Sequence, residues 1–187
     1  MTQPSLERRC PVPFYISCTS VNRPDRKRQT LMVHLSALLL LICLSLPALA
    51  TDAYLQTTSD LHEDGALADR SGLPILLLVS RERCSYCQKL KREVLDPIQL
   101  SGQYKDQVIM REILIDPGRR LKDFHGYNRQ AVELARGYGV SLTPTLLFLD
   151  AKGRELTTRM VGINTLEMFS FYLDEAIAQA AVALHRQ

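Results

Sequence analysis

Tryptophan is absent from this chain, cysteine is scarce, and charge is nearly balanced where a folded domain would lie. Of the 23 Lys and Arg and the 20 Asp and Glu, six and two fall within the first fifty positions, leaving 17 and 18, a net of −1, after Ala50. A domain so close to neutral offers no basic surface for nucleic acid, and no such partner is expected. Metal ligands are equally short. A structural zinc ion takes four protein ligands. After Ala50 the chain supplies two cysteines and the scattered His62, His125 and His185, with no second Cys-x-x-Cys and no His-x-x-x-His. Gln88 stands where haem attachment would need a His after the Cys pair. No metal and no cofactor is expected. Repeats and low-complexity tracts are also lacking, and 46% hydrophobic with 23% charged residues is an ordinary globular composition.

The first fifty residues read as an address. Arg26-Lys27-Arg28 precede an apolar core from about Leu35 to Leu46, then Pro47 and the small residues Ala48 and Ala50. These are the parts of a secretory signal, so residues 32–50 are expected to be a signal peptide cleaved after Ala50. The alternative is an uncleaved membrane anchor, since Leu31 to Ala50 spans 20 residues, about the length that crosses a bilayer. Pro47 and the Ala-Leu-Ala site favour cleavage. Leu40-Leu41-Ile42 before Cys43 is too bulky for a lipoprotein cleavage box. Residues 1–31 carry Pro4, Pro11, Pro13 and Pro24 and no apolar periodicity. They read as a disordered extension, or as a mis-assigned start with Met32 as the first residue. Residues 51–187 are then the folded domain, and its expected location is the periplasm.

Cysteine usage points to chemistry. Of Cys10, Cys18, Cys43, Cys84 and Cys87, cleavage after Ala50 leaves only the last two, in Cys84-Ser85-Tyr86-Cys87. Stray thiols are a hazard in an oxidising compartment. A bridge closing so short a loop adds little stability, because the entropic gain grows with loop length. The pair is better explained as reactive than as a staple.

The rest alternates strand and helix. Leu73 to Ser80 is a short apolar run, fitting a strand buried on both faces. From Ser85 to about Leu95, Tyr86, Leu90, Val94 and Leu95 can share a helix face, with Asp96-Pro97 expected to stop or kink it. Val108 to Ile115 is a second strand, Asn128 to Tyr138 a second helix, and Thr145 to Leu149 a third strand. Asp150 to Gly153 is a hairpin turn, with Glu155 to Val161 as the returning strand. A long helix follows from about Thr165 to Leu184, and another precedes the first strand near Leu61 to Asp69. The order implies an α/β fold, a sheet with helices on both faces.

At this point the chain resembles the thioredoxin superfamily over about residues 70–180. The likeness rests on the apolar strand leading into Cys84-Ser85-Tyr86-Cys87, on Ile115-Asp116, and on Tyr138-Gly139-Val140-Ser141-Leu142-Thr143-Pro144-Thr145. The closer likeness is to periplasmic thioredoxin-related proteins of the SoxW type, through Val94-Leu95-Asp96-Pro97 after the Cys pair. Departures are Arg83 in place of the family's Trp, Leu78 where bacterial thioredoxin has a buried Asp, Ser-Tyr in place of Gly-Pro, and an extra stretch of roughly ten residues around Arg119 to Asn128. The resemblance implies a thioredoxin fold with a central mixed β-sheet flanked by helices on both faces and a cis Thr143–Pro144 bond.

The resemblance also implies roles. Cys84 is the attacking nucleophile, at a helix N-terminus whose free N–H groups and dipole favour thiolate. Cys87 is the resolving thiol. Tyr86, Thr143 and Pro144 are candidate substrate contacts, and Arg83 a candidate tuner of the sulfur, alongside Arg81 and Lys89. Glu112 is the candidate to replace the missing acid, and Glu82 a second; the plainer expectation for both is a surface carboxylate. The expected function is a thiol–disulfide oxidoreductase reducing exported disulfide-containing proteins, recharged by a membrane-bound electron donor and acting as a monomer. Alternatives are an oxidase or isomerase of the same fold, or a non-catalytic thioredoxin-like binding module.

Overall fold

The computed structural model describes residues 54–163 and 165–186, so the expectations for residues 1–50 lie outside the described residues. Helix α1 (Leu61–Ser71) is capped by Asp60, whose carboxylate accepts the Glu63 N–H at 3.0 Å. Gly72 ends it in the left-handed region at φ 66°. Strand β1 (Ile75–Ser80) is buried along its whole length.

Three strands join β1 in one sheet. In chain order they are β2 (Ile109–Leu114), β5 (Thr145–Leu149) and β6 (Met160–Val161), and the spatial order is β2-β1-β5-β6. β1 runs parallel to β2 and antiparallel to β5, and β5 antiparallel to β6, so the sheet is mixed. Thr57 adds a parallel bridge to Glu112 at the edge of β2.

Side chains alternate across the sheet and feed two cores. Leu76, Leu78, Met110, Leu146 and Phe148 face Leu90, Val94, Leu95 and Ile98 from the chain after the Cys pair, and Phe169, Leu173 and Ile177 from the last helix, α5 (Leu166–His185). Ile75, Leu77, Val79, Ile113 and Leu147 face Leu61 and Ala68 of α1, and Leu134 and Ala135 of α4 (Ala131–Gly137). Helices on both faces of a mixed sheet match the expected architecture.

Three elements differ from the sequence expectation. Of the stop or kink expected at Asp96-Pro97, the stop does not occur. α2 (Ser85–Leu90) runs into a π-helical turn (Lys91–Leu95) and on through α3 (Asp96–Ser101). Pro97 has no N–H for a carbonyl one turn back, and its ring crowds that carbonyl. A wider turn just before it lets the helix pass. Asn128 to Tyr138 is not all helix: β4 (Asn128–Gln130) pairs with β3 (Arg120–Lys122) as a separate two-stranded sheet. That hairpin occupies the segment where extra length was expected. The strand after Asp150 is also shorter than Glu155 to Val161. Glu155 makes an isolated bridge to Leu149, and regular pairing resumes only at Met160.

Candidate active site

Cys84 is the N-cap of α2, and its extended backbone places the sulfur over the first turn. Cys84 and Cys87 form a disulfide with Cα atoms 5.2 Å apart. The Cys84 Sγ accepts the Cys87 N–H at 3.1 Å. A helix leaves its first N–H groups without internal partners, and here one is aimed at sulfur. Cys87 is wholly buried, whereas Cys84 is partly exposed. Only one sulfur of the pair is open to attack from outside.

The second wall comes from the start of β5. The Thr143–Pro144 peptide bond is cis. Thr143 donates from Oγ1 to Cys84 Sγ at 3.6 Å, and its carbonyl oxygen lies 3.8 Å from the same sulfur. Pro144 is buried, and its carbonyl accepts the Gly162 N–H at 2.8 Å, tying the loop to the end of β6. Cys84, Cys87, Thr143 and Pro144 therefore meet at one end of the sheet. Tyr86 stands out from them, 64% exposed. Leu142, just before Thr143 in the chain, is 63% exposed. Arg83 is exposed and makes no ion pair among the described residues.

Of the two acids, Glu82 is an exposed carboxylate paired with Arg119, as the plainer expectation had it. Glu112 is a correction. It is 2% exposed and sits beneath the active-site helix. Lys91, on the π turn, reaches it at 2.9 Å. Ser80 Oγ donates to one of its oxygens at 2.5 Å and Thr57 Oγ1 to the other at 3.1 Å. A carboxylate away from water needs such partners. Lys91 and Ser80 are site residues the sequence did not reveal. The one available signal was Lys91 standing four positions after Cys87, on the same side of a helix.

A disulfide between a buried and a partly exposed cysteine at the start of a helix, set on a mixed sheet with helices on both faces, marks a thioredoxin-fold redox protein. Residues 61–177 match the thioredoxin-like domain family, and the chain belongs to that family. It is similar in structure to a redox protein from Chlamydomonas reinhardtii, with 16% identity and TM-score 0.50 over 70% of this chain and 37% of that one. It is also similar to poplar thioredoxin h (20% identity, TM-score 0.43, 60% of this chain and 85% of that one). Fasciola hepatica thioredoxin shares 19% identity at TM-score 0.47, over 67% of this chain and 99% of that one. Likeness at these identities concerns the fold alone. No curated protein matches the chain.

Proposed function

We propose that the protein is an exported protein-disulfide reductase related to the SoxW type, working in the periplasm through the Cys84–Cys87 dithiol. The observation that carries this reading is the N–H of Cys87 directed at the Cys84 sulfur, with Thr143 on its other side. That setting favours thiolate at Cys84 over thiol.

In the proposed cycle, the Cys84 thiolate attacks one sulfur of a substrate disulfide and expels the other as a thiolate. Cys87 then attacks Cys84 in the mixed disulfide, restoring the intramolecular bridge and releasing the second substrate thiol. Two electrons and two protons pass to the substrate, and a membrane-bound dithiol donor returns them. Thr143 offers its backbone to the incoming peptide in the manner of strand addition, and Tyr86 lies beside it as a further contact. The signal at residues 32–50, read from sequence, supports export, and Pro47 with Ala48 and Ala50 supports release from the membrane.

The test is insulin reduction by the full chain together with its redox potential. Wild type should reduce insulin, Cys84→Ser should not, and Cys87→Ala should hold substrates as stalled mixed disulfides. A potential near about −270 mV fits a reductase, whereas one near about −120 mV would replace it with an oxidase. Equal inactivity of wild type and Cys84→Ser would leave only a binding module.

A further inference from the structure

Next to the Cys84–Thr143 contact lies a groove of about 550 Å3, walled by Arg81, Ile115, Val132, Arg136, Leu142 and Thr143. Thr143 belongs both to this groove and to the surroundings of the Cys84 sulfur, so whatever fills the groove adjoins the bond under attack. Its most buried lining residues, Ile115 and Ala135, are apolar, and two exposed guanidinium groups stand at its rim. Arg81 and Arg136 are exposed, and neither forms an ion pair among the described residues.

No salt bridge among the described residues joins Arg81 or Arg136 to the nearby acids, although Asp116, next in chain to Ile115, keeps its charge. Glu82 pairs with Arg119, and Asp116 accepts the Glu82 N–H at 3.0 Å. Glu133 is exposed in the first turn of α4 and does not line the groove. The folded domain as a whole is nearly neutral, so this positive rim is a local feature and not the edge of a general basic surface. Arginine beside apolar lining residues suits a peptide segment with carboxylate side chains, which the planar fork can grip with paired N–H donors.

We infer that the groove binds acidic residues flanking the substrate's cystine, and that Arg81 and Arg136 select which disulfides react. This rests on the exchange reading above. The chemistry is unchanged: the dithiol of Cys84 and Cys87 is oxidised to the disulfide, and the peptide cystine is reduced to two thiols.

Three cystine peptides of one length test it, with two Glu, two Gln or two Lys beside the bridge. Each is reduced by the full chain in the dithiol state under pseudo-first-order conditions. Two carboxylates near two guanidinium groups in a water-exposed groove should give the Glu peptide a rate about five- to twentyfold above the Lys peptide. That ratio should shrink as salt shortens the Debye length below about 10 Å. Arg81→Gln/Arg136→Gln should bring the ratio toward one, while Arg81→Lys/Arg136→Lys should keep its direction. Equal wild-type rates on all three peptides, or a ratio untouched by the Gln pair, would overturn the groove and leave the exchange reading standing. Reduction of none of them would remove both. An equal loss on all three in the Gln pair would show the arginines acting on the Cys84 sulfur instead, and would also overturn the groove.

Discussion

Removing the charge of Glu112 should loosen both the fold and the second chemical step. Glu112 is 2% exposed, and its Lys91 partner keeps 19% of its side-chain surface in water. Breaking a fully buried pair costs about 3–5 kcal/mol, and a surface pair is worth about 0–1 kcal/mol. Glu112→Gln leaves Lys91 without its counter-charge near the buried limit, but retains an oxygen for Ser80 or Thr57. A cost of about 2–3 kcal/mol follows between those limits. Lys91→Met strands the carboxylate itself and should cost about as much or more. The double variant should cost less than the sum by about 1–2 kcal/mol, because each single change already removes the shared interaction. Urea denaturation of the oxidised full chain measures all three. Additivity within about 0.3 kcal/mol would refute the pair as a working unit. The same Glu112→Gln protein should release a trapped mixed disulfide more slowly, since Glu112 lies under the helix that carries Cys87. Unchanged release would take Glu112 out of the mechanism and leave it as a tie between helix and sheet.

Two further outcomes follow from local geometry. At Gly153 (φ 79°) an added Cβ would lie 2.5 Å from Phe124 Cδ2 and 2.7 Å from the Tyr138 oxygen, whereas at Gly118 (φ 83°) it would meet open space. Gly118→Ala should therefore cost only about 1–2 kcal/mol of backbone strain, and Gly153→Ala clearly more; equal costs in urea denaturation would contradict the packing described. Burial pushes the Tyr138 hydroxyl up from 10.0 to about 12, with the carboxylates of Glu155, Asp150 and Asp123 adding to it. Between those values the folded chain keeps a proton that the unfolded chain has lost, so stability falls as pH rises above about 10. Tyr138→Phe gives up the bond to the Gly153 carbonyl at 2.7 Å, and its stability should decline less steeply over that alkaline range in thermal denaturation.

Much of the fold was visible in sequence because its strongest signals are local. Ile75 to Val79 and Leu146 to Leu149 are buried on both faces, so each reads as an unbroken apolar run. The Cys pair and Thr143-Pro144 were equally plain, each being a short motif. The β3–β4 hairpin was not. Arg120-Leu121-Lys122 has a single buried residue between two exposed ones, and Asn128-Arg129-Gln130 has none, which is too little for a period of two. The usable signal was the turn: Asp123 Oδ1 accepts N–H groups from His125 and Tyr127, and Gly126 takes φ 84°. Glu112 was named as a candidate, but its burial escaped for a different reason. Arg111-Glu112 looks like exposed charge within a strand, but Arg111 finds Asp64 at 2.5 Å and Glu112 finds Lys91. Both partners lie on other elements, and a linear pattern does not say which charges pair across them.

The widened turn at Lys91–Leu95 acts as a phase shifter. Each residue of an α-helix advances the facing direction by about 100°, so the surplus residue lets one rod serve two sets of neighbours. Before it, Cys87 is turned inward and buried beside Cys84; beyond it, Asp96 is aimed at the backbone N–H of Leu55, 3.3 Å away. Deleting one residue there would restore an even spiral and swing everything downstream around the axis. The rod's two ends would then be out of step, and the tie to Leu55 would be lost.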